Sequence, residues 1–145
     1  MIELVEKKCL YYSIIASAIP VAVITALFKD FAYIAVLVAA VASGIVSASI
    51  YTGELLNARD KVAVTSALGY GLGYLIGISI AAIAYAVRGI KELIAFANLG
   101  VQGGYVTLLI VSIIISYVTG MMAFDRMVKK KIIARKITTK RHRRK

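Results

Sequence analysis

The chain has one cysteine, one histidine, one proline and no tryptophan. With Cys9 alone, no disulfide can close within the chain, and the cysteine count leaves the redox compartment open. The single histidine, His142, sits in KRHRRK, where it adds one more cation or donor to a basic cluster. The seven carboxylates are scattered singly, so no pair is set for acid–base work, and no ligand set for a metal is present. No long apolar run carries an internal charge of the kind that marks a proton or ion path. These shortages argue against an enzyme, a metal site, a bound cofactor and a coupled transporter. The GxGxG at Gly69–Gly73 is no phosphate loop: no strand precedes it, and no Lys-Ser/Thr or acidic residue follows at the needed spacing. Asn and Gln are confined to Asn57, Asn98 and Gln102; with much Ile, Val, Lys and Arg this hints at a hot habitat. The opening MIELVEKK is mixed in charge, which does not suit a cleavable signal peptide.

What the sequence has in excess is apolar surface. Hydrophobic residues make up 61% of 145 residues, against roughly 45–50% in ordinary soluble domains. The length suits one domain, but its apolar surface is more than it can bury in itself. Four runs carry no charge: 9–28, 31–53, 62–87 and 105–124. Each is far longer than a strand and matches the roughly 20 residues that span hydrocarbon. The expected fold is all-α, with four long hydrophobic helices near 2–28, 31–56, 61–90 and 105–137 forming a helical bundle or hairpin pair, and a basic C-terminal helical extension. Residues 1–124 form the body and 125–145 the tail. Glu3 and Glu6 suit a first helical turn. Pro20 is a candidate break, so the first boundary falls there or at Lys29-Asp30. Asn57 and Asp60 are candidate C-cap and N-cap of the ELLNARDK connector. The glycines of 98–104 (NLGVQGG) predict a turn.

Small residues recur at i+4: Gly69, Gly73, Gly77 and Ala81 in the third run, and Ala40, Gly44, Ala48 and Thr52 beside Ala35, Ala39, Ser43 and Ser47 in the second. Such stripes let helix backbones approach closely. Spacing does not say whether the contact lies within one chain or between chains. Of the nine tyrosines, 11, 12, 33, 51, 85 and 105 fall near run ends, as in an interfacial belt; the alternative is aromatic packing with the hydroxyl locally bonded.

The net charge of +11 is gathered in one place. Arg126, Lys129, Lys130, Lys131, Arg135, Lys136, Lys140, Arg141, Arg143, Arg144 and Lys145 stand against Asp125 alone. Phe124, Val128 and Ile132, and Ile133 with Ile137, repeat at i+4, so the first half of the tail reads as helix. A block of like charge this dense calls for an anionic partner, either a nucleic-acid backbone or an anionic lipid surface. The tail has no aromatic residue for base stacking, so any nucleic-acid contact would run through the backbone without reading sequence.

Taken together, the four runs and the basic end at 126–145 resemble the major capsid proteins of the tailed, spindle-shaped viruses of hot-acid archaea. Those are small, hydrophobic four-helix proteins that build a shell around double-stranded DNA. The resemblance covers the whole chain and rests on no motif. It implies a homopolymeric virion subunit, with apolar contacts between copies and the basic tail on the double-stranded DNA backbone. The chain departs from that group in having runs uniform enough for ordinary membrane spans. The alternative expectation is therefore a small four-span membrane protein, holin-like or a pilin or secretion-channel subunit. Its basic tail would lie on anionic headgroups of the bilayer, with both termini cytoplasmic, as the distribution of Lys and Arg between the runs favours.

Overall fold

The computed structural model describes residues 7–28, 32–51, 57–102 and 105–142, with side chains through 7–28, 32–51, 57–98 and 107–129. Five helices occupy them: α1 Lys7–Leu27, α2 Ala32–Ile50, α3 Ala58–Arg88, α4 Ile90–Gln102 and α5 Tyr105–His142. No strand occurs among the described residues. The fold is all-α, with four long apolar helices. The expected first-turn residues Glu3 and Glu6 and the Lys29-Asp30 boundary lie outside the described residues.

Two hairpins build the bundle. α1 and α2 run antiparallel, with Ser13 opposite Ser43. α3 and α5 also run antiparallel, with Ser66 opposite Ser116 and Tyr70 opposite Ser112. The hairpins lie side by side so that α1 runs parallel to α3 and α2 parallel to α5. One end, here the tail end, gathers the starts of α1 and α3, the end of α2 and the exit of α5; Arg59 and Asp125 meet there at 3.4 Å.

Four local expectations change. Pro20 does not break α1, which runs through it. Packing on both sides of the proline holds the helix: Ser17 and Ala18 before it lie against Gly73, and Val21 after it against Gly77. The 98–104 segment is helical as far as Gln102, so a fifth helix stands where a turn was expected; Gly103 and Gly104 lie outside the described residues. The third helix ends at Gly89, close to the expected end near 90; its φ of 132 lies in a region favourable only to glycine. Its N–H bonds the Tyr85 and Ala86 carbonyls and closes α3. Asn57, expected to end the second helix, stands instead at the start of α3 in the left-handed region, with no side-chain cap bond. Asp60 lies inside the first turn of α3, where its charge suits the helix dipole.

Candidate functional site

Small residues fill the interior and large ones cover the exterior. The core consists mainly of Ala35, Ala39, Ala40, Ala63 and Ala81 with buried serines and glycines; Tyr70, Tyr74 and Tyr85 are its largest members, and Val21, Val36 and Val62 are fully enclosed. Large apolar side chains point outward from each of the four long helices. Ile19, Val23, Ile34, Val38, Leu72, Leu75, Ile83, Ile110 and Ile114 are examples, with Ile83 66% exposed. Each such side chain is about half exposed and forgoes roughly half of the about 1.5–3 kcal/mol that full burial contributes. More than twenty large apolar side chains are exposed in this way, and together they forgo about as much as or more than the about 5–15 kcal/mol that holds a whole domain together. The perimeter therefore belongs in apolar surroundings. Two serines on it are bonded within their own helices, Ser49 to the Ile45 carbonyl and Ser79 to the Leu75 carbonyl, each at 2.7 Å. That arrangement leaves little polar demand on an apolar neighbour.

Inside, hydroxyls link all four long helices at one level. Ser13 bonds Ser43; Ser43 donates to the Ser66 carbonyl at 3.0 Å; Ser66 meets the Ser116 hydroxyl at 2.7 Å. One turn further along, Ser17 donates to the Gly69 carbonyl and Tyr70 to Ser112 at 2.9 Å. Hydroxyls bonded across helices in this way each contribute roughly 0.6–1.7 kcal/mol in an apolar setting.

The glycine stripes lie on these seams. A Cβ at Gly69 would fall on Ser13, one at Gly73 on Ser17 and 2.5 Å from the Ile14 carbonyl, and one at Gly77 2.8 Å from the Ala18 carbonyl. The structure thus brings Gly69, Gly73 and Gly77 against α1 of the same chain, and Ala81 is buried one turn beyond. Gly44 abuts Gly120 and Thr119 of α5, with Ala40 and Ala48 buried on either side of it. The sequence reading missed Gly120, which stands alone in the fourth run; its signal was the pairing of two glycines across helices that spacing in one helix cannot reveal.

The tyrosines divide. Tyr11, Tyr12 and Tyr33 are exposed near helix ends. Tyr70 and Tyr85 are buried and bonded, Tyr85 donating to the Thr25 carbonyl at 2.7 Å. At the end away from the tail, Arg88 donates to the Ala26 carbonyl at 2.8 Å and lies 5.3 Å from the Tyr85 ring centre, while Phe96 stacks on Tyr85 at 4.8 Å and attaches α4. The guanidinium satisfies a carbonyl at the α1 C-terminus and favours its dipole.

Among the residues whose side chains are described, charge is uneven between the ends. Lys7, Lys8, Arg59, Lys61, Arg126 and Lys129 collect at the tail end against Asp60 and Asp125; the other end has Arg88 and Lys91 against Glu92. Helix α5 continues past the bundle to His142. Of the tail cations expected to contact a polyanion, Arg126 and Lys129 are exposed. Lys130, Lys131, Arg135, Lys136, Lys140 and Arg141 are on the helical backbone with side chains outside the described set, and Arg143, Arg144 and Lys145 lie outside the described residues.

Between α2 and α5 a groove of about 680 Å³ opens toward this end. Val41 and Ile45 form one wall and Thr119, Met122 and Ala123 the other; Arg126, Met127 and Lys129 continue to its mouth. Among the described residues, no group of three or more His, Cys, Asp or Glu could hold a metal ion. No known protein family, curated protein or solved structure matches this chain.

Proposed function

We propose that the chain is a small four-span integral membrane protein of structural rather than catalytic role, which presents a basic helix at the cytoplasmic face of the bilayer. One observation carries this reading: a belt of branched aliphatic side chains encircles all four long helices, with charge kept to the two ends. α1 and α2, of 21 and 19 residues, are each about 30 Å long, the thickness of the hydrocarbon core. The cation-rich end carries the positive-inside signature. Amphipathic α4, 13 residues long, is too short to span and suits the opposite interface. The axis of the bundle is filled by serine, alanine and glycine, so a pore of the holin or secretion-channel kind would need several copies.

The capsid reading draws on the same basic extension. It requires close contact between copies, and the small-residue stripes suited to that contact are used inside the chain. A shell contact would also leave part of the belt uncovered, whereas lipid covers all of it. The test is alkaline carbonate extraction of cells expressing the full chain, with a density gradient and nuclease treatment of the same material. The chain is expected to stay in the membrane pellet and to band with lipid without nuclease-protected DNA. Release by carbonate, or co-sedimentation with protected DNA, overturns the membrane reading; the latter result favours the shell.

A further inference from the structure

We propose that the α2/α5 groove binds one anionic glycerolipid of the bilayer, its acyl chain along Val41, Ile45 and Met122 and its phosphate between Arg126 and Lys129. The inference rests on the membrane reading and names a partner for that surface. The groove is amphiphilic along its length: its inner walls are apolar and its mouth is cationic. From Thr119 to Lys129 the helix rises about 15 Å, half of a hydrocarbon core and so the depth of one leaflet. Its volume of about 680 Å³ falls within the range of sites that enclose small ligands, roughly 300–1,000 Å³.

The mouth is placed for a phosphate. Arg126 and Lys129 are three residues apart and share one helix face. Asp125, the acidic neighbour, is engaged with Arg59, so its charge is partly answered elsewhere. A guanidinium offers a paired donor fork and an ammonium a point charge, a combination suited to a phosphodiester. Ala123 keeps the floor low, and the unbranched thioether of Met122 adapts to a mobile chain. A second copy of the protein is a poorer occupant. A two-fold contact here would bring the same cationic mouth against itself, and like charges at close range repel.

The test uses the full chain purified from membranes in a nonionic detergent, with native mass spectrometry and titration of phosphatidylglycerol against phosphatidylcholine. One phosphatidylglycerol per chain is expected to survive detergent removal, with phosphatidylcholine bound more weakly. At about 1 kcal/mol per cation near the surface, Arg126→Ala or Lys129→Ala should each weaken phosphatidylglycerol binding about 5-fold, and the double variant roughly 30-fold. Lys91→Ala, at the opposite end, should leave it unchanged. Ala123→Trp should fill the floor and exclude both lipids. Equal retention of the two lipids with no response to the double variant overturns the proposal, as does a dimer that Ala123→Trp dissolves. Carbonate extraction of the same variants separates the two ideas: lipid-free chain that still resists extraction defeats the groove alone, and chain that is extracted defeats the membrane reading.

Discussion

Helices α1 and α3 meet through Gly69, Gly73 and Gly77 over about two turns, whereas α2 and α5 touch closely where Gly44 abuts Gly120, and the groove lies beside that contact. Both pairs are parallel and both are built from small residues. The difference is how many turns carry a glycine on the seam. Three in succession keep the backbones together and leave no room for a side chain; one facing pair makes a single close point, with Val41, Ile45 and Met122 on the groove side of it. A long closed seam and a single close point beside a groove thus go with different spacings of the same residue type.

The largest effect should come from breaking the closed seam. Gly73→Leu places a side chain on Ser17 and the Ile14 carbonyl, and should lower stability by about 3 kcal/mol, since overpacking that meets backbone has little room to relax. Gly44→Leu meets the Gly120 nitrogen and Thr119 at 2.8 Å, but beside an open groove, and should cost about half as much. Thermal unfolding of the two variants in the same detergent checks the order; equal losses would mean that the two seams do not differ. A smaller effect is expected at the hydroxyl level: Ser43→Ala removes the bonds to Ser13 and the Ser66 carbonyl, and should cost about 1 kcal/mol in the same assay. The smallest change has the opposite sign. Gly71 lies between two seam glycines yet has open space where a Cβ would go, so Gly71→Ala should stabilise by roughly 0.5–1 kcal/mol through the unfolded chain. A loss at Gly71 would show that the outer face of α3 is also packed.

The sequence showed the four helices because charge-free runs of twenty or more residues have few other ways to satisfy their backbones. It showed less of what joins them. The third helix was expected to end near 90, and Gly89 closes it there, but the unusual φ of 132 could not be read from the sequence, while the denser cluster around Gly100 carried the stronger turn signal and proved helical through Gln102. Helix can absorb one glycine at about 1 kcal/mol where other contacts hold it. Pro20 was equally ambiguous, since the packing of its neighbouring turns on α3 is a tertiary fact. The stripes in the second and third runs were plain in the sequence, but their partners were not, because i+4 spacing describes one helix and a seam needs two. The groove was invisible for the same reason: Val41 and Arg126 stand 85 residues apart.

The linked serines also govern how the helices respond to force. Sliding one helix along its neighbour by less than a turn would strand Ser13, Ser43, Ser66 and Ser116 between partners, and the next comparable alignment lies about 5.4 Å away. The layer therefore acts as a detent: shear between helices proceeds in steps of a turn or not at all. On the membrane reading, a bilayer that thins or thickens around such a bundle would be met by tilting the whole unit rather than by rods creeping past one another.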